Sequence, residues 1–127
     1  MSSSPKILLI EDDPFLVNIY STKLSLEGFE VLEASDAKKG LRLAEKHSPD
    51  LILLDLLLPE VNGFKFLEIL KKKKKTKDIP VIVLSNLGEK EDIKRAFDLG
   101  VTDYLIKVHF LPEEVIDKII SIVKESR

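Results

Sequence analysis

The chain reads as an α/β domain, a mainly parallel five-stranded sheet with helices on both faces. Three observations predict it. Short continuous apolar runs recur near residues 6–11, 29–34, 50–55, 80–85 and 103–107. Stretches with helical periodicity, near 14–27, 36–47, 63–74, 89–99 and 112–126, alternate with them. Several of the apolar runs end on a chemically useful residue: Glu11-Asp12-Asp13, Asp55, Ser85 and Lys107. A run that is apolar throughout suits a strand buried on both faces, and strands alternating with helices build successive βαβ units. Ligand sites in such sheets gather beyond the carboxyl ends of the strands.

Each element has its own signal. Ile7-Leu8-Leu9-Ile10 is the first strand, and Asp13-Pro14 starts the first helix with an N-cap and a proline at the first helical position. Gly28 stands where that helix stops, ahead of the second strand. Leu51-Ile52-Leu53-Leu54 leads into Asp55, and Val81-Ile82-Val83-Leu84 into Ser85. Gly100 closes the fourth helix, and Tyr104-Leu105-Ile106 leads into Lys107. Pro112 opens the last helix, and Glu113 and Glu114 complement its dipole. Val115, Ile116, Ile119, Ile120 and Val123 then fall on one face, as a core stripe. The lysine run from Lys71 to Lys75, with Lys77, reads as a solvated helix end, the alternative being a polyanion-binding patch.

Composition limits the function classes. The chain has 127 residues, 44% hydrophobic and 33% charged, as suits one soluble domain with a real core. Its net charge of −2 gives no global pull towards nucleic acid, so no direct nucleic-acid binding is expected. It contains no cysteine, which excludes disulfides, thiolate metal sites and a cysteine nucleophile and fits a cytoplasmic location. No apolar stretch reaches the length of a membrane span. Residues 1–5 read as a short flexible tail and 6–127 as the domain, with no linker to a second one.

Crowded carboxylates repel one another unless a cation neutralises them, and Mg²⁺ is a hard ion that prefers oxygen ligands. Glu11, Asp12 and Asp55 are therefore candidate metal ligands, joined by a backbone carbonyl. Asp55 is the candidate nucleophile, because a carboxylate can carry an aspartyl phosphate. Lys107 could hold a phosphoryl oxygen and the Ser85 hydroxyl could donate to another.

The motifs Ile7-Leu8-Leu9-Ile10-Glu11-Asp12-Asp13-Pro14, Asp55-Leu56-Leu57-Leu58-Pro59 with Asn62-Gly63, Val83-Leu84-Ser85-Asn86 and Asp103-Tyr104-Leu105-Ile106-Lys107 together resemble a response-regulator receiver domain of two-component signalling. The likeness is to the chemotaxis-regulator type and covers nearly the whole chain. It implies a flavodoxin-like (βα)5 fold with strand order 2-1-3-4-5. It implies Mg²⁺ held by Glu11, Asp12, Asp55 and the Leu57 backbone carbonyl, and phosphorylation of Asp55 by a sensor histidine kinase or phosphotransfer protein. Ser85 and Tyr104 match the switch positions, which would reshape the face of the fourth helix, fifth strand and fifth helix for a downstream protein partner. The expectation is a phospho-acceptor rather than an enzyme, monomeric or dimerising on phosphorylation.

Two positions depart from that pattern. Val108-His109-Phe110 follows Lys107 where proline is usual, and Asn86 stands where a small residue is commoner. The Lys107–Val108 peptide is expected to be trans, since a non-proline cis bond costs roughly 2.5–4 kcal/mol. Other functions fit less well. An aspartyl-phosphate hydrolase would have a second acid where Leu57 stands, and a flavin or nucleotide module would have a phosphate loop where Glu11-Asp12-Asp13 stands. A phosphorylation-independent adaptor on the same fold would have no use for the full acidic set.

Overall fold

The computed structural model describes residues 4–126, apart from the side chain of Ser126. The elements run in the order β1 (Lys6–Ile10), α1 (Pro14–Leu26), β2 (Glu30–Ala34), α2 (Ala37–His47), β3 (Leu51–Leu54), α3 (Gly63–Lys72), β4 (Val81–Ser85), α4 (Lys90–Asp98), β5 (Asp103–Ile106), a 3-10 turn (Lys107–His109) and α5 (Pro112–Ser126). All neighbouring strands are parallel, in the order β2-β1-β3-β4-β5. The architecture is therefore the flavodoxin-like one that the sequence predicts.

The sheet separates two apolar layers. Leu8, Ile10, Ile52 and Leu54 face α2, α3 and α4 through Ala44, Phe66, Leu67, Leu70 and Ala96. Ile7, Leu9, Leu51 and Leu53 face α1 and α5 through Tyr20, Leu24, Val115, Ile119 and Val123. β1, β3 and β4 are buried almost throughout, which explains their unbroken apolar sequences.

Caps set the helix ends. Asp13 accepts from the Phe15 N–H, Asp36 from Lys39 and Asn62 from both Phe64 and Lys65. Gly28 and Gly100 end α1 and α4 with φ of 91° and 95°, a region costly for other residues. α3 stops at Lys72, two residues before the periodicity suggests. The Thr76 hydroxyl donates to the Leu70 carbonyl at 2.6 Å and turns the chain back towards β4. No cis peptide bond occurs among the described residues, so Lys107–Val108 is trans, as expected. The proposed tail falls mostly on residues 1–3, outside the described residues. The Pro5 carbonyl already accepts the Glu30 N–H at 2.9 Å.

Candidate functional site

The parallel strands bring the polar run ends to one edge. Register pairs Ile10 with Leu54 and Ser85 with Ile106, so Glu11, Asp55, Ser85 and Lys107 emerge at the same end of the sheet. Oxygen atoms of Glu11, Asp12 and Asp55 lie within 4.8 Å of one another. Glu11 and Asp55 are buried at 4% and 5% exposure, whereas Asp12 is open to solvent.

Lys107 enters this cluster from the end of β5. Its Nζ lies 2.7 Å from Glu11 Oε1 and 2.8 Å from Asp55 Oδ2. Two backbone groups complete the network: the Leu57 N–H donates to Asp55 Oδ1 at 3.0 Å, and the Asp13 N–H to Glu11 Oε2 at 3.1 Å. Burial pushes the Glu11 carboxyl above its ordinary value, against the hydrogen bonds from Lys107 and Asp13. Burial works to lower the Lys107 ammonium, but its bonds to Asp55 and Glu11 prevail and hold it above the usual lysine value. One ammonium thus faces three carboxylates, and the donor set is all oxygen. That chemistry suits a hard divalent cation.

The loop after β3 is shaped by Gly63. A Cβ at that position would stand 2.6 Å from the Leu56 Cα, so α3 can begin this close to Asp55 only with glycine there. The Gly63 N–H also donates to the Leu56 carbonyl at 2.9 Å.

Ser85 is fully buried at the end of β4, and its hydroxyl oxygen accepts the Leu87 N–H at 3.3 Å. Tyr104 is half-buried, and its phenol donates to the Leu87 carbonyl. Leu87 therefore links Ser85 to Tyr104 through the two sides of its own backbone. Sequence reasoning missed this link, because backbone hydrogen bonding carries no residue signature. It also gave no sign of the 3-10 turn Lys107–His109, in which Val108 and His109 point to solvent.

The family model for the response regulator receiver domain matches residues 7–120. The DNA-binding dual master transcriptional regulator RpaA of Synechocystis is 40% identical over 122 residues, covering 96% of this chain and 50% of RpaA. The phosphate regulon transcriptional regulatory protein PhoB of Klebsiella pneumoniae is 35% identical, covering 94% of this chain and 52% of PhoB. The chain thus spans about half the length of these curated relatives. Among solved structures, the Francisella response regulator 1452 receiver domain superposes with a TM-score of 0.88 at 31% identity, over 98% of this chain and 100% of that one. A CheY-like receiver domain protein from Methanospirillum hungatei superposes with a TM-score of 0.89 at 27% identity, over 97% and 96% of the two chains. These relatives overturn the expectation of a partner set without direct nucleic-acid binding. RpaA is named as DNA-binding, and PhoB as a transcriptional regulator. The expectation came from this chain's own net charge, which carries no information about the half of the relatives' length that the chain does not span. No helix among the described residues is long and apolar enough to cross a membrane.

Proposed function

Because the chain belongs to the response regulator receiver domain family of two-component systems, we propose that it is a phospho-acceptor switch whose acceptor is Asp55. One observation carries the reading: a buried carboxylate shares a single ammonium with Glu11 and adjoins Asp12. An Asp55 carboxylate oxygen forms a bond to phosphorus while the P–N bond of a phosphohistidine donor breaks, and the electron pair leaves with the imidazole. Lys107 stays charged and follows the negative charge onto a phosphoryl oxygen. The Leu57 N–H keeps the carboxylate oriented, which lowers the entropic cost of in-line attack.

Glu11, Asp12, Asp55 and the Leu57 carbonyl would hold Mg²⁺. When bound, the ion neutralises the carboxylates and the charge on the transferring group. The Ser85 hydroxyl donates to a phosphoryl oxygen, a movement that weakens its bond with the Leu87 N–H. The Leu87 carbonyl then shifts against the Tyr104 phenol, and the change reaches the face of α4, β5 and α5. The names of the relatives support transcriptional control as the output of the whole protein, with the receiver state governing a DNA-binding partner or segment.

The test is chemical-shift mapping with Mg²⁺ and beryllofluoride, a phosphoryl mimic. Shifts should spread from Asp55 through Ser85 and Leu87 to Tyr104, α4 and α5. Shifts confined to the Asp55 loop would refute the switch.

A further inference from the structure

Six of the seven residues from Lys71 to Lys77 are lysines, in a chain with 20 cationic and 22 acidic residues. Local structure uses two of them. Lys71 Nζ donates to the Lys77 and Ile79 carbonyls, at 3.1 Å each. Lys73 Nζ pairs with Glu45 at 3.0 Å. With the Thr76–Leu70 bond, these contacts close the turn between α3 and β4. Lys72, Lys74, Lys75 and Lys77 are exposed, and no ion pair to any of them occurs among the described residues. The α3 dipole favours cations in its last turn, which Lys71 and Lys72 already supply. Lys74, Lys75 and Lys77 lie past the helix and have no such role. Crowding four unpaired ammoniums into so short a segment is electrostatically unfavourable until a polyanion neutralises them.

We propose that this lysine turn docks on the phosphodiester backbone of nucleic acid without regard to base sequence. Ammoniums are point charges that suit single phosphate oxygens, whereas the forked guanidinium reads guanine edges. The run has no aromatic side chain on which a base could stack, so the contact is with backbone rather than bases. It has no exposed apolar side chain to enter a lipid surface, so a membrane could hold it through charge alone, and phosphatidylserine vesicles are the comparison in the test. Its position agrees. α3 begins beside the Asp55 loop and runs about 15 Å to Lys72, towards the opposite edge of the sheet. Phosphates bound there stand away from Glu11, Asp12 and Asp55, which would repel them.

The experiment uses the whole chain and a fluorescent duplex of random sequence at low salt. The duplex should bind, and log K should fall with log salt at a slope of about −3, as for three to four released counterions. Changing Lys72, Lys74, Lys75 and Lys77 together to Gln should weaken binding about tenfold or more. A control carrying the same charge change at Lys38, Lys90, Lys94 and Lys124, all exposed and outside the run, should stay within about twofold of the parent. Circular dichroism of both variants verifies that they fold. Asp55→Asn should bind the duplex like the parent, so failure of the phospho-acceptor reading would leave this result standing. No duplex binding at low salt, equal losses in the two four-site variants, or binding to phosphatidylserine vesicles but not to duplex would each overturn the proposal.

Discussion

Lys107 compensates one charge among three carboxylates, so the cluster without a cation keeps a negative surplus. Mg²⁺ should therefore raise the melting temperature, because it binds the folded state and not the unfolded chain. Asp12→Ala should raise the metal-free melting temperature by a few degrees, equivalent to roughly 1 kcal/mol for a domain of this size, and should abolish the response to Mg²⁺. A thermal shift with Mg²⁺ as large as the parent's would exclude Asp12 as a ligand. The two tyrosines give a second test. Burial pushes Tyr20 and Tyr104 each up to about 12. A folded-state value above the unfolded one means that the neutral phenol is favoured by folding. That stability is fully present below pH 10 and is lost as pH rises from 10 towards about 12. The chain has no tryptophan, so tyrosinate absorbance reads these groups directly. Ionisation of either phenol near its ordinary value in the folded protein would contradict the burial argument.

At the scale of elements, the loop from β3 to α3 holds Asp55, the proposed acceptor, and Gly63 sets its path. Gly63→Ala should force the Leu56 backbone to shift, cost about 1–3 kcal/mol of stability and slow Asp55 phosphorylation. Urea unfolding and phosphorylation rates would check both effects, and a variant with parent-like values in both would show that the loop yields freely. Most of this scaffold was legible in the sequence. Unbroken apolar runs such as Leu51–Leu54 mark buried parallel strands, and Asp13-Pro14, Gly28 and Gly100 mark helix ends by mechanisms that act locally. The acidic site was legible for a related reason: parallel strands carry their end residues to one edge, so Glu11, Asp55 and Lys107 converge once the strands are placed. What stayed hidden depends on contacts between segments distant in sequence or on the backbone. The early stop of α3 rests on Thr76 reaching back to Leu70. The Leu87 bridge uses only peptide groups, and nothing in a leucine side chain announces it.

In the whole molecule, Asp55 is the proposed acceptor and Leu87 the proposed link from Ser85 to Tyr104 and the face of α4, β5 and α5. The lifetime of the phosphorylated state follows from what surrounds the acceptor. Hydrolysis needs water held in line with the aspartyl–phosphorus bond, and polar side chains can hold it. Leu57 and Leu87 stand two residues after Asp55 and Ser85, and neither can do so through its side chain. Leu57 is 52% exposed, so its side chain gives the site little shelter from solvent. Decay in excess Mg²⁺, without kinase or phosphatase, should take many minutes, and Leu57→Asn with Leu87→Glu should shorten it. A parent half-life of seconds, or a double variant no faster, would contradict this. The switch and the lifetime both presuppose that Asp55 accepts the phosphoryl group. The most direct measurement is the intact mass of the parent and of Asp55→Asn after incubation with Mg²⁺ and acetyl phosphate. The parent should gain one phosphoryl group, with no gain when the metal is chelated before the donor is added and none in Asp55→Asn. An unmodified parent, or an Asp55→Asn protein modified as readily as the parent, would contradict it.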